Sequence, residues 1–271
     1  MTTQLVTKVS AGDLNKQIEQ HLKELAEATD KARTSEEMIR YLDFCAKFHQ
    51  YSAGNVWLIL MAKPEASYVA GFQKWKSLGR WVKKGERGIP ILAPILVKED
   101  EEEAGEKQYL VGFRVVHVFD LAQTDGEPIP LVPNWKSPEK NLRLQRELIH
   151  FAESKGIQVT IETLAGEIQG ISQGGSIVLS PNAGTKTLVH EISHVLLHFQ
   201  GLNNLSRAEK ELEAESVAFI VSKHFGIKRI NSPNYLALNC SLAVDILGHS
   251  ERIKMTADEI IRFIESVTKA D

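Results

Sequence analysis

Four prolines interrupt the segment Gln123–Lys140, and they limit how the rest of the chain can fold. Proline fixes φ and lacks an amide hydrogen, so neither a continuous helix nor a central strand can cross this segment. A chain of 271 residues, 43% of them hydrophobic, can bury a core on each side of it. The sequence therefore predicts two domains, 1–130 and 139–271, joined by a linker at about 123–139.

Hydrophobic spacing predicts an α+β fold for the first domain. Apolar residues recur at helical intervals in Leu14–Ala28 and in Ser35–Phe48, with Ser35 as the expected N-cap. Two strand-like stretches rich in Ile, Val and aromatic residues flank the acidic run Glu99–Lys107. We expect this run to form a solvated hairpin loop.

The second domain is also predicted to be α+β. The helix after the linker ends at Gly156, and the strands IQVTIE and SIVLSP follow, the second of them after a turn at Gly174–Gly175. Further helices are predicted to begin at Thr187, Ser206 and Thr256. The last two open with capping boxes, formed with Glu209 and Glu259.

The chain has the composition of a soluble cytoplasmic protein. No stretch approaches the roughly 20 apolar residues of a membrane span, and MTTQLVTKVS does not have the pattern of a secretory signal. Cys45 and Cys240 lie in apolar-patterned segments far apart in sequence. We therefore expect reduced, packed thiols rather than a disulfide.

The predicted helix from Thr187 carries the pattern H-E-x-x-H. Helical spacing places His190 and His194 one turn apart on the same face, where both imidazoles can reach one ion. Zinc accepts neutral imidazole, and another divalent metal such as Mn²⁺ is the alternative. Glu191 can take the proton of a water that attacks a carbonyl, so the pattern predicts a zinc peptidase site with Glu191 as general base.

Such a site needs a third ligand, which the same helix does not supply. A metzincin would need glycine and histidine where this sequence has Leu197 and Gln200. His198 lies two turns from His190, about 12 Å along the helix axis, which is too far to share an ion. We assign His198 to packing or to the surface.

The next predicted helix carries Glu211 and Glu215 inside an apolar arc of its helical wheel. Carboxylates there are costly to bury unless a positive charge meets them. We predict Glu211 as third metal ligand and Glu215 as the outer carboxylate that orients a histidine, with the reverse assignment as alternative. Glu209 and Glu213 fall on the opposite side and are predicted to be solvated.

Other interpretations of these residues stay open. The four side chains could form an ion-paired helix pair with buried histidines and no metal, or the metal could be structural. His224, Tyr235 and His249 are transition-state donors by residue type alone, with packing as the alternative. The segment SIVLSP suits an edge strand that could pair with an extended peptide.

A basic, aromatic stretch lies in the first domain. Between Tyr41 and Lys98 the sequence has nine basic and three acidic residues, which gives a local net charge of +6. Cations can follow a phosphate backbone while aromatic rings stack on unpaired bases, which favours single-stranded nucleic acid over a duplex. The predicted binding residues are Lys74, Trp75, Lys76, Arg80, Trp81, Lys83, Lys84 and Arg87. The alternative is a solvated basic face with core tryptophans.

Two stretches, Tyr51–Ile95 and Gly112–Pro130, closely resemble the N-terminal domain of ArdC-type antirestriction proteins. The run G-F-x-x-W-x-x-L-G-R-x-V-x-K-G-E-x-G carries this resemblance, which covers most of residues 10–130. The motifs H-E-I-S-H and E-L-E-A-E are similar both to that family and to ImmA/IrrE-type metallopeptidases.

The resemblance implies a protein of plasmids or other mobile elements. Its first domain would bind single-stranded DNA, and its second would have a zincin-like metallopeptidase fold. We therefore expect an antirestriction protein that protects entering DNA and carries a zinc-dependent peptidase-like site, with single-stranded DNA and a protein substrate as partners. The alternative is a regulatory zinc endopeptidase that cleaves a specific protein such as a repressor.

Overall fold

The computed structural model describes residues 9–27, 31–101, 105–128, 138–166, 168–199, 205–227 and 243–269. Its contacts divide the chain into two compact units. Unit 1 comprises Met1–Lys23 and Gly54–Ile129, and unit 2 comprises Glu24–Ala53 and Pro130–Asp271. Unit 2 is therefore built from two separate segments of chain. Our domain boundaries, 1–130 and 139–271, stay a proposal.

Helices and strands occur in both halves of the chain, which confirms the α+β prediction. Up to residue 128 the elements are α1 (Ala11–Glu27), α2 (Lys31–Lys47), α3 (Ala53–Ala62), β1 (Val69–Gly71), α4 (Phe72–Ser77), β2 (Arg80–Val82), β3 (Ile89–Glu101), β4 (Gly105–Asp120) and β5 (Thr124–Gly126). From residue 138 they are α5 (Pro138–Ser154), β6 (Gln158–Ile161), β7 (Gly170–Gln173), β8 (Ser176–Leu179), α6 (Thr185–His194), α7 (Arg207–His224) and α8 (Ala243–Lys269). A π-helical turn, Val195–Phe199, continues α6.

The long hairpin of β3 and β4 dominates unit 1. These strands pair antiparallel, β1 pairs with the other edge of β4, and β2 forms a separate antiparallel ribbon with β5. Pairing continues to Glu101↔Gly105, so the acidic run is mostly strand and our expectation of a loop over its whole length was wrong.

Two side chains bonded to main chain fix unit 1 locally. The Asn55 amide donates to the Leu92 carbonyl at 2.8 Å and its oxygen accepts from the Leu92 amide at 2.8 Å, which ties α3 to β3. Trp75 is fully buried and its indole N–H donates to the Phe119 carbonyl at 2.9 Å, which ties α4 to β4. Both contacts satisfy polar groups that burial would otherwise leave without partners.

The three-stranded sheet of unit 2 has the order β6-β8-β7. Strand β8 pairs parallel with β6 and antiparallel with β7, so it is central, and our expectation that SIVLSP is an edge strand was wrong. The hydrophobic run of β8 reflects burial between neighbours. Gly174 and Gly175 have φ of 59° and 83°, as a tight turn between β7 and β8 requires.

The observed helix starts agree with one predicted N-cap and differ from two others. Ser206 caps α7 as predicted, because its hydroxyl accepts from the Glu209 amide at 3.3 Å while the Glu209 carboxylate accepts from the Ser206 amide at 2.7 Å. Thr256 does not begin a helix: it is buried in the middle of α8. The apolar spacing of α8 continues across it, and packing outweighs the capping motif. Ser35 likewise lies inside α2, which begins at Lys31.

None of the helices in the described ranges is long and apolar enough to cross a membrane.

Cys45 is fully buried on α2, and burial raises the pKa of its thiol to about 12. We expect DTNB to modify it at least about a hundredfold more slowly in native than in urea-unfolded protein, because the thiolate is the reactive form. Absorbance of the released thiolate in a Cys240→Ser variant would measure this, since Cys240 lies outside the described residues. Rapid modification of the native variant would contradict the buried position.

Candidate metal centre and nucleic-acid interface

Two histidines of α6 project side by side from one face of the helix. His190 and His194 are four residues apart, and their Nε2 atoms lie 3.0 Å from each other. Both side chains are only partly buried, at 20% and 17% exposure. The pair is therefore accessible from solvent and could bind one ion with both rings.

Helix α7 brings a carboxylate to the same point. Glu211 Oε2 lies 3.5 Å from His190 Nε2 and 3.4 Å from His194 Nε2. Ligands at zinc–nitrogen distances of about 2.05 Å in a tetrahedral arrangement are about 3.3 Å apart. The three separations therefore fit a single zinc-sized ion. The half-exposed Glu211 side chain keeps the site open toward solvent, where a water could complete it.

Glu215 lies behind this group rather than in it. Its Oε2 faces Nδ1 of His190 at 3.4 Å, and its carboxylate also pairs with Lys186. A carboxylate at Nδ1 favours the tautomer that leaves the Nε2 lone pair directed at Glu211 and His194. The geometry thus favours Glu211 over Glu215 as the third ligand.

The two histidines have different electrostatic environments. Burial lowers the pKa of His190, but the carboxylates of Glu215, Glu191 and Glu211 outweigh it and the net shift is upward. Burial and the neighbouring His190 charge lower the pKa of His194. Binding of a cation would therefore displace a proton mainly from His190, so affinity should rise with pH.

Glu191 lies next to the edge strand of the sheet. It is buried, and a Cβ at Gly170 of β7 would come within 2.8 Å of its Cγ and 3.0 Å of its Oε1. Only glycine therefore leaves room for this carboxylate beside His190. Sequence analysis missed Gly170, because the strand pairing that brings it to α6 is not visible in the local pattern.

A groove of about 200 Å³ opens beside His194. It lies between Ser172–Gly175, at the end of β7, and the π-helical turn Val195–Phe199. In the described part of the sheet, β7 is an edge strand and β8 is not. An extended chain could therefore reach the histidines along β7.

The remaining histidine candidates lie outside this metal-ligand group. His198 approaches the Lys210 carbonyl at 3.1 Å, which fits packing, one of the two alternatives (packing or surface) given for it. His224 donates to the Ala46 carbonyl and His249 to the Glu213 carboxylate, so both contact parts of unit 2 outside the metal-ligand group. Tyr235 lies outside the described residues.

Glu213 contradicts the sequence-based expectation. We predicted a solvated side chain, but it is fully buried, with Oε1 accepting from His249 Nδ1 at 2.6 Å and from Arg252 Nε at 2.9 Å. Helix α8 covers this side of α7 and supplies both partners. Burial alone would raise the pKa of Glu213, but these partners outweigh it and lower the pKa below its usual value.

Two of the predicted nucleic-acid-binding residues have structural roles. Trp75 is fully buried, so it cannot stack on a base, and its place in the predicted interface was wrong. The Arg80 guanidinium donates to Thr124 Oγ1 at 2.9 Å and to the carbonyls of Thr124, Gly126 and Glu127. These bonds join β2 to β5 and occupy the donors that a phosphate would need.

The other predicted residues form an exposed basic surface. Trp81 is 60% exposed and Phe72, from the neighbouring α4, is 52% exposed. The exposed cations of the same segment are Lys74, Lys76, Lys83, Lys84 and Arg87. Lys83 also donates to the Ala122 carbonyl at 3.0 Å, so it is partly engaged. Trp81 and Phe72, rather than Trp75, are the aromatic rings available for stacking.

Comparisons with known proteins match a family model to the first half of the chain and other proteins to most of it. Residues 8–119 match the family model for the N-terminal domain of anti-restriction factor ArdC. An uncharacterized protein of Bacillus anthracis, pXO2-81, is 25% identical over 296 aligned residues, which cover 91% of this chain and 50% of that protein. The chain thus spans about half the length of this relative.

Two solved structures of the ArdC antirestriction protein from plasmid R388 are also similar. The metal-free structure is 21% identical with a TM-score of 0.47, and the match covers 80% of this chain and 86% of that chain. The Mn(II)-bound structure is 20% identical with a TM-score of 0.46, and the match covers 79% and 89%.

The family match includes the exposed basic surface, from Phe72 to Arg87, and the whole β3–β4 hairpin up to Phe119. It also includes α2, which packs in unit 2. Residues 8–119 therefore match the ArdC N-terminal domain family, which agrees with the resemblance found for this part of the sequence.

Proposed function

We propose that this protein is an antirestriction factor of a mobile element, which binds single-stranded DNA through unit 1 and carries a zinc-dependent peptidase site in unit 2. The proposal depends on the convergence of His190 Nε2, His194 Nε2 and Glu211 Oε2 within 3.5 Å, beside Glu191. Proton-induced X-ray emission or mass spectrometry of the purified protein would test it, with about one zinc or other divalent ion expected at this site.

The protein residues around this site have distinct tasks. A bound zinc ion would polarise a carbonyl and lower the pKa of a water. Glu191 would accept the proton of that water and return it to the departing amine. Glu215 and Lys186 would hold the His190 ring in place. The groove along β7 would align an extended substrate, and the site would act in the cytoplasm of the cell that receives the DNA.

Unit 1 supports the DNA-binding part of the proposal through Trp81, Phe72 and their neighbouring cations. We expect Trp81→Ala to weaken binding of a single-stranded oligonucleotide by about 1–3 kcal/mol, since one stacked base is lost. Fluorescence anisotropy at two salt concentrations would measure it, and Lys84→Gln should reduce the salt slope by about 0.7.

Met255→Ala is a matched control, because this side chain is 71% exposed but lies on α8, in unit 2. Equal binding of single and double strands with no salt dependence would remove the DNA-binding proposal. An unchanged affinity of Trp81→Ala for the oligonucleotide would show that the surface around Trp81 does not bind DNA.

A regulatory endopeptidase is the second candidate function, favoured by the groove that leads from β7 to His194. Here unit 1 would only locate the protein to be cut. Loss of cleavage in Glu191→Gln with intact protection of DNA would show that the peptidase is separable from antirestriction. A structural metal instead predicts that Glu191→Gln is silent while His190→Ala unfolds unit 2.

A further inference from the structure

A second group of metal-binding side chains lies in unit 2, on other elements than the first. His49 follows α2, His224 is the last residue of α7, and Glu265 lies on α8. One ligand atom of each lies within 4.8 Å of the other two. We propose that these three residues bind a second divalent transition-metal ion, of the class of Zn²⁺ or Co²⁺.

Hydrogen bonds orient both imidazoles toward the shared point. His49 Nδ1 donates to Asp258 Oδ1 at 2.8 Å, and His224 Nδ1 donates to the Ala46 carbonyl at 2.9 Å. Both partners are hydrogen-bond acceptors, so the neutral tautomer of each ring has its hydrogen on Nδ1 and its lone pair on Nε2. A carboxylate or carbonyl at the far nitrogen is the usual arrangement behind a metal-binding histidine.

The distance from Glu265 to His224 suits two ligands of one small ion, whereas the distance from Glu265 to His49 is slightly too long. Glu265 Oε1 lies 3.1 Å from His224 Nε2 and 3.9 Å from His49 Nε2, against about 3.3 Å for neighbouring ligands on tetrahedral zinc. The two rings meet edge-on, with centroids 4.8 Å apart. A shift of about 0.6 Å by the His49 ring would bring its Nε2 atom to about 3.3 Å from Glu265 Oε1.

Burial makes a cation the better partner for these atoms. The side chains of His49, His224 and Glu265 are 6%, 12% and 24% exposed. A proton on Nε2 of His224 would let this ring donate a hydrogen bond to Glu265. The lone pair on Nε2 of His49 would still point toward the same carboxylate. A metal ion accepts electron pairs from all three atoms at once.

The surrounding charges assign distinct tasks to the two carboxylates. Asp258 is balanced by Arg262 Nε at 2.9 Å and Lys254 Nζ at 4.0 Å, so it orients His49 rather than neutralising an ion. Glu265 is then the anionic ligand. Two imidazoles and one carboxylate favour Zn²⁺ or Co²⁺ over the oxygen-seeking Mg²⁺ and Ca²⁺. The ion would join the segment after α2 to α7 and α8.

Metal stoichiometry in a background without the first site tests this inference. We expect wild-type protein to bind about two equivalents of Co²⁺, and the double variant His190→Ala, His194→Ala to keep about one. Addition of His224→Gln should remove the remaining equivalent and its visible absorption. His150→Gln is the matched control, because His150 is 60% exposed on α5.

The second site does not depend on the proposed function, and its failure has its own signature. A folded double variant that binds no Co²⁺, or one whose binding survives His224→Gln, would overturn it. Should the double variant not fold, His224→Gln in the wild-type background decides, since about two equivalents should fall to one. An unchanged stoichiometry there would equally overturn the inference.

Discussion

Peptide hydrolysis should fall by about 10²–10⁴-fold when Glu191 is changed to Gln, with the metal retained. The amide cannot accept a proton, but it has nearly the same shape and fits beside Gly170 as the carboxylate does. Neither ligand histidine is altered. Release of fluorescent peptides from labelled casein by zinc-loaded protein would measure the loss, with metal content determined on the same samples.

Glu153→Gln is the control for this substitution, because Glu153 is exposed on α5 in the same unit. It should leave hydrolysis unchanged. If Glu191→Gln hydrolyses casein as fast as wild-type protein does, Glu191 is not the base.

Unit 2 should lose about 3–5 kcal/mol of folding free energy when Glu213 is changed to Ala. The substitution removes the acceptor of His249 and Arg252 from a fully buried position and leaves a cavity between α7 and α8. Urea unfolding followed by circular dichroism would measure the change. Glu251→Ala, at an exposed position of α8, should stay within about 0.5 kcal/mol of wild-type stability.

The stabilisation by Glu213 should also depend on pH. Its pKa is lowered in the folded protein from an ordinary value of 4.5, so ionised Glu213 favours folding. The contribution is complete above the unfolded-state pKa and is lost as pH falls through the lower folded-state pKa. The stability difference between wild-type protein and Glu213→Ala should therefore shrink below about pH 4.5. A difference that is constant from neutral to acid pH would contradict an ionised, paired Glu213.

Local spacing anticipated the arrangement around His190, because both halves of that arrangement are set by helical periodicity. Four residues separate the two histidines, and four separate Glu211 from Glu215, so each helix alone fixes which side chains share a face. The pattern could not predict which face of α6 packs against which face of α7. That relation depends on packing of buried residues such as Val189 and Val217, which local spacing does not specify.

Glu213 and Thr256 show where the sequence was insufficient. A helical wheel assigns a glutamate opposite an apolar arc to solvent, but α8 covers that side of α7 and brings Arg252 to it. We predicted a helix that begins only at Thr256, so the first half of α8 was not predicted. One undetected half-helix thus produced both errors.

Trp75 and Arg80 illustrate a similar limit in unit 1. Alternation of cations and aromatic rings describes the chain, but it does not distinguish a ring that faces solvent from one that faces the core. Trp75 is buried and Trp81 is exposed, although they are six positions apart in the same basic stretch. The pattern indicated a basic, aromatic segment and could not show which of its side chains are exposed.

Unit 2 takes α2 from a part of the sequence that precedes most of unit 1. A gene fusion at a single point near residue 130 could not transfer the complete helical assembly from one protein to another. Such an exchange would also need recombination points at both ends of the segment 24–53. We therefore expect relatives to inherit or lose the two units together, because their connection is harder to recombine than a single surface loop.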